Sequence, residues 1–172
     1  MLSKATKTDL EKLKIEWTAI CSNYGDEGSV LANDINAKID SLIKEISQAN
    51  YFAYVIKDGE KFDALLNVVH ALPKSDVSWL KIFDMLMTPE YILGDGNLSA
   101  LIDTLAASII EPIELIFGDE HGNAREIKTY ARTENMVKLF KSLENNKLIQ
   151  EKLGNIGLVC LQEGNWLIFR KK

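Results

Sequence analysis

The residues best placed to do chemistry stand in one short loop, Gly118-Asp-Glu-His-Gly-Asn123. Asp119, Glu120 and His121 offer two carboxylates and an imidazole, a set that can hold a divalent cation or pass a proton. The spacing falls short of the metal patterns. A calcium loop strings its oxygen ligands over about twelve residues and ends in glutamate, and a zinc site needs three or four ligands such as cysteine and histidine. The chain has only two histidines and two cysteines, all distant in sequence, so no metal is expected. Glycine-flanked polar tips are also ordinary hairpin turns.

Other candidates carry less. His70 precedes the stop at Pro73, where an imidazole can bond the last carbonyls of a helix or respond to pH. Asp95-Gly-Asn97 looks like a fragment of a metal loop, but Asn97 serves better as a helix cap. Cys21 and Cys160 lie in apolar patterns and read as small core residues. No Walker pattern, dinucleotide fingerprint or G-x-S-x-G elbow occurs, so no cofactor is expected.

Charge narrows the partners. The net charge of −5 is uneven: six basic against eight acidic residues over 1–50, four against nine over 51–112, and ten against eight over 113–172. The acidic middle disfavours phosphate backbones, whose affinity comes chiefly from lysine and arginine, and suits a basic protein. The basic residues between Arg125 and Lys172 are diluted by Glu144, Glu151 and Glu163, so nucleic acid is not an expected partner. "MLSKATKTDLEKLK" alternates charge where a secretory signal has an apolar stretch. No run approaches the ~18 apolar residues of a membrane span. A cytoplasmic protein without membrane contact is expected.

The elements that must position these residues read as helices first. At 172 residues the chain suits one domain, or a larger and a smaller one. Thr8-Asp-Leu-Glu11 has the form of a capping box, followed by Leu10, Leu13, Trp17, Ile20 and Tyr24 on one helical face. Gly25 to Gly28 should stop that helix and Ser29 begin the next, whose stripe can run on through Ala53 and Ile56. Tyr51 to Ile56 also has strand composition; continued helix is the reading adopted. Phe62 to Leu72 and Ser75 to Met87 read as third and fourth helices, Thr88-Pro89 as the start of a one-turn helix closed by Gly94, and 97–111 as a fifth main helix.

From Ile113 the period changes. Ile113, Leu115 and Phe117 alternate, and Ala124 to Tyr130 reads as the return strand of a one-sided hairpin. Thr133 caps a helix that Asn145-Asn146 can break. The terminal hairpin pairs Glu163 with Trp166 and Cys160 with Phe169 across a type II′ turn at Gly164-Asn165, and both its faces are apolar. Strands buried on both sides read this way. The expected fold is therefore α+β: a helical region over 1–111 packed on a small antiparallel ββαββ sheet over 112–172, with the terminal hairpin at the sheet's centre.

Lacking a catalytic motif, the chain reads as a protein-binding module of inhibitor, immunity or regulatory type, acting by stoichiometric association. Its expected contact residues are Asp119, Glu120, His121, Trp166 and Arg170. A second copy of the chain is an alternative occupant of the hairpin face, which would make a homodimer. The alternatives in function are an enzyme with a site near the Asp119-Glu120-His121 loop and a nucleic-acid-binding module.

Overall fold

The computed structural model describes residues 1–94 and 98–172; the expectations placed on Asp95 and Asn97 lie outside them. Seven strands form one mixed sheet in the order β1-β2-β3-β4-β5-β7-β6. They are β1 (Leu2–Lys4), β2 (Tyr51–Asp58), β3 (Lys61–Ala71), β4 (Trp79–Met87), β5 (Glu126–Tyr130), β6 (Leu158–Glu163) and β7 (Trp166–Lys171). The helices are α1 (Lys7–Cys21), α2 (Gly25–Glu45), α3 (Pro89–Leu93), α4 (Leu98–Ile110), α5 (Glu134–Asn145) and α6 (Lys147–Asn155). Among the described residues no helix is long and apolar enough to cross a membrane.

This corrects the expected fold of a helical region on a small ββαββ sheet. The three segments read as helix between Tyr51 and Met87 are strands. Tyr54, Val55 and Ile56 are consecutive and all buried, as are Ala64, Leu65 and Leu66, so these strands are covered on both sides. A strand of that kind and a buried helix share the same continuous apolar sequence. Gly59, with φ +59°, makes the sharp turn between β2 and β3. In β4 the alternation is plain, with Leu80 and Ile82 buried and Trp79, Lys81 and Phe83 on the opposite face. The expected strand over Ile113–Phe117 is instead a 3-10 turn, Glu111–Ile116, which buries Pro112, Ile113 and Ile116.

The chain divides into two compact units, residues 1–68 with 84–111 and residues 69–83 with 112–172. In the first, α1 and α2 enclose a core of Leu10, Leu13, Trp17, Ile35, Ile39 and Leu42 against β2 and β3 residues Val55, Phe62 and Leu65. The capping box sits two residues earlier than expected, at Thr6–Asp9. Thr6 Oγ1 accepts from Asp9 N–H at 3.1 Å, and Asp9 accepts from Thr6 N–H at 3.0 Å. Hydrogen bonds from Thr6, with help from Lys57, hold the Asp9 carboxyl down at about 2. Gly25, at φ +59°, turns the chain after the 3-10 turn Ser22–Tyr24, and α2 begins there rather than at Ser29.

In the second unit β5 pairs antiparallel with β7, and β7 with β6. The terminal hairpin has the expected register, Glu163 opposite Trp166 and Cys160 opposite Phe169. Gly164 supplies the positive φ, +60°, that a type II′ turn needs at its first central position. The hairpin is not central, because β6 is the sheet edge. α5 and α6 pack on it, and Leu158, Cys160, Leu167 and Phe169 are buried. Burial, then the charge of Glu144, pushes the Cys160 thiol up to about 11, so it is protonated at neutral pH.

Side chains from the helices occupy this edge. Gln150 Nε2 donates to the Cys160 carbonyl at 2.7 Å, its Oε1 accepts from Cys160 N–H at 3.4 Å, and Glu144 Oε1 accepts from Gln162 N–H at 2.9 Å. Gln150 thus stands where the backbone of a further strand would bond. Free strand edges recruit other chains. Gln150→Ala should cost about 1 kcal/mol and make the protein associate with rising concentration. Light scattering across a dilution series checks this, and a variant as monodisperse as the parent would show that the edge needs no such cover.

Candidate ligand-binding site

β4 and β5 run parallel, with Trp79 beside Glu126 and Ile82 beside Thr129. Their ladder stops there, although β4 continues. The Phe83 carbonyl is taken by a side chain instead: Arg132 Nη2 donates to it at 3.1 Å. Beyond the end of β5 the backbone is closed off by Asn165 of the β6–β7 turn. Ala131 N–H donates to the Asn165 carbonyl at 2.8 Å, and Asn165 Nδ2 reaches Tyr130 Oη at 3.4 Å. Thr133 then caps α5, its Oγ1 accepting from Met136 N–H at 3.3 Å.

These residues shape an open hollow of about 450 Å³ lined by Arg132, Thr133, Glu134, Val137, Lys138 and Asn165. It lies where the parallel strand β5 gives way to the N-terminus of a helix. Crevices at the carboxyl ends of parallel strands are the usual ligand sites of α/β sheets, and helix N-termini attract anions. Arg132 and Lys138 supply positive charge, which Glu134 offsets in part. The unit as a whole carries twelve basic against nine acidic residues, so its field favours a negatively charged ligand.

The first unit holds a hollow of opposite character. About 180 Å³ in volume, it is lined by Glu16, Ile20, Lys61, Phe62, Asp63, Thr88 and Glu90. Burial, then the charges of Asp58 and Glu16, raises the Asp63 carboxyl above its ordinary range. Such a lining attracts cations, and a carboxyl of raised pKa can exchange protons nearer neutrality.

The residues singled out in the sequence part company. Asp119 and Glu120 are exposed on the 3-10 turn Asp119–His121. His121 is buried, its Nδ1 3.3 Å from His70 Nδ1, while His70 Nε2 lies 2.7 Å from Ser78 Oγ. Serine, imidazole and a second imidazole in a row have the connectivity of a nucleophile, base and orienting group. Ser78, at 1 % exposure, offers no oxygen to a substrate.

Trp166 and Arg170 lie on the other face of β7 from Leu167 and Phe169. Trp166 meets Tyr130 edge to face at 4.9 Å between centroids, and Lys81 Nζ lies 5.1 Å from the Trp166 ring. Arg170 Nε donates to Glu126 Oε2 at 2.6 Å. Burial opposes ionisation of Glu126, but Lys128 and Arg170 outweigh it and hold the carboxyl below its ordinary range. Among the described residues no group of three or more histidines, cysteines, aspartates or glutamates is arranged to hold a metal ion.

The reading as an inhibitor, immunity or regulatory module does not stand. It rested on an acidic helical middle, which is strand over Tyr51–Met87, and on surplus aromatic surface in the terminal hairpin, where Leu167, Ile168 and Phe169 are buried. No family model and no curated protein matches the sequence.

Solved structures do align along the chain. An acetyltransferase from Thermus thermophilus is 14% identical, with 98% of this chain and 94% of that one covered and a TM-score of 0.44. The PaiA N-acetyltransferase of Thermoplasma acidophilum, in complex with coenzyme A, is 16% identical over 100% and 98%, with a TM-score of 0.42. A point mutant of the toxin AtaT, bound to the C-terminus of the antitoxin AtaR, is 14% identical over 99% and 90%, with a TM-score of 0.46. At this distance no family is assigned.

Proposed function

We propose that the protein is an enzyme of acyl-transfer type, taking its acyl group from a phosphate-bearing thioester carrier of the coenzyme A class. The observation that supports this reading is the end of the β4–β5 pair. There the ladder stops at Ile82 and Thr129, and the hollow beside α5 presents Arg132, Lys138 and a capped helix N-terminus. These donors fit phosphate oxygens: a guanidinium, an ammonium and oriented backbone dipoles. The names of the similar structures say only which carrier to try first.

A bound carrier of this class would supply an activated acyl thioester. The chain's own part is to bind and orient. Arg132, already fixed on the Phe83 carbonyl, and Lys138, one turn into α5, would hold the phosphates. Asn165 and Tyr130 would line the route from the hollow to the strand ends. Orientation of this kind accounts for a large part of enzymatic rate enhancement.

The test is release of free thiol from acetyl-coenzyme A in the presence of a panel of primary amines. Turnover above the spontaneous rate with at least one amine is expected. Absence of thiol release with every amine, at carrier concentrations of about 1 mM, near the top of ordinary KM values, would contradict the reading.

A further inference from the structure

Two histidines and a serine meet in the interior of the second unit. His70, Ser78 and His121 are 6 %, 1 % and 1 % exposed, and they come from β3, the connection before β4 and the 3-10 turn Asp119–His121. The two imidazoles meet edge to face, 5.1 Å between centroids at 80°, with Nδ1 facing Nδ1 at 3.3 Å. A nitrogen–nitrogen contact of this kind needs one N–H and one lone pair, so a single proton lies between the rings. The outer nitrogen of His70 is committed to Ser78 Oγ at 2.7 Å.

The proton count sets what acid does here. One added proton can be accommodated, because a protonated His70 donates to His121 on one side and to the serine oxygen on the other. A second leaves N–H facing N–H, two like charges without water, and the contact becomes repulsive. We infer that His70 and His121 form an acid-operated latch, which holds the segment Gly118–Asn123 against the end of β3 near neutral pH and lets it go when both rings are charged. A second tie runs from Asn123 Nδ2 to the Pro73 carbonyl at 3.2 Å, so the segment closes over the β3–β4 connection at two points.

Charged residues lie within a few positions of His70, Ser78 and His121 in sequence. Asp119 and Glu120 flank His121 in its own turn, Lys74 and Asp76 stand in the connection, and Arg125 opens the approach to β5, its N–H bonded to the Ser78 carbonyl at 3.0 Å. All five side chains belong to exposed residues, and their signs largely offset. Burial lowers the His70 pKa below its ordinary value. The sign follows: stabilisation by the neutral ring is complete above the unfolded value of about 6.5 and is lost as pH falls below it.

Amide hydrogen exchange on the full chain at about pH 7.5 and about pH 5, corrected for intrinsic rates, tests the latch across the histidine range. Protection of residues 118–124 should fall about tenfold or more at the lower pH, while β5, β6 and β7 keep theirs. In His70→Gln, whose amide can face His121 in either charge state, that fall should vanish. Equal protection of the segment at both pH values would overturn the inference, as would loss of all segments together. If His70→Gln does not fold, imidazole nitrogen shifts of the parent decide. Two coupled titrations, the first of them below the ordinary histidine value, support the latch, and two independent ones at the ordinary value of about 6.5 overturn it.

Discussion

Gly28→Ala is expected to lower the free energy of unfolding by about 3 kcal/mol or more. Gly28 lies in the first turn of α2, and a Cβ there would run into the carbonyl oxygen of Cys21, the last residue of α1, with the Tyr24 Cβ 3.1 Å away on another side. A backbone carbonyl cannot swing aside as a side-chain tip can, so the two helices must move apart. Their shared core of Leu13, Trp17, Ile35 and Ile39 would open with them. The control is Gly59→Ala. Gly59 has φ +59° and no atom within 4 Å of the place a Cβ would take, so only backbone strain applies, about 1–2 kcal/mol. Urea midpoints of the two variants at unchanged slope make the comparison. Equal losses would mean that the close approach of α1 to α2 is wrong.

The second large effect is expected at Trp17. Its side chain is fully buried at 0 % exposure, and its Nε1 donates to the Phe62 carbonyl at 3.0 Å, tying α1 to the first residues of β3. Trp17→Ala should cost about 3–5 kcal/mol through lost burial and the cavity left behind. Trp17→Phe keeps most of the ring but leaves the carbonyl without that donor, at a cost of about 1–3 kcal/mol. Glu16 stands beside it, its Oε1 accepting from Phe62 N–H at 3.0 Å, so consecutive α1 residues satisfy both backbone groups of Phe62. Chemical denaturation of the two variants separates volume from hydrogen bonding. A phenylalanine variant as unstable as the alanine one would assign the whole effect to the bond.

Parts of this were legible in the residues. The α1 stripe, the Pro89 start of α3, the Thr133 cap and the register of the β6–β7 hairpin depend on neighbours within a few positions, and local chemistry states them directly. The middle of the sheet was not legible. Phe62, Leu65, Leu66 and Val69 fit a helical stripe, yet Ala64 and Val68 between them are buried too, and periodicity cannot separate a strand covered on both sides from a buried helix. The tie-breaker was present in Gly59-Glu60, which joins two strands with a positive-φ glycine at its first position as Gly164-Asn165 does. At the site, Arg132 and Lys138 were visible only as members of a diluted basic stretch. Their grouping in one hollow depends on the parallel β4–β5 pair, which joins residues 47 apart and brings Arg132 to the Phe83 carbonyl. His70 and His121, 51 apart, meet for the same reason.

Titration calorimetry with coenzyme A tests most directly whether the hollow at the end of β5 binds a phosphate-bearing carrier. One site per chain is predicted, with a Kd of order 1–100 μM. The double variant Arg132→Ala/Lys138→Ala should weaken it about tenfold or more while leaving the melting temperature near that of the parent, since both residues are exposed. Absence of binding heat at about 1 mM coenzyme A, or binding that the double variant leaves untouched, would contradict it.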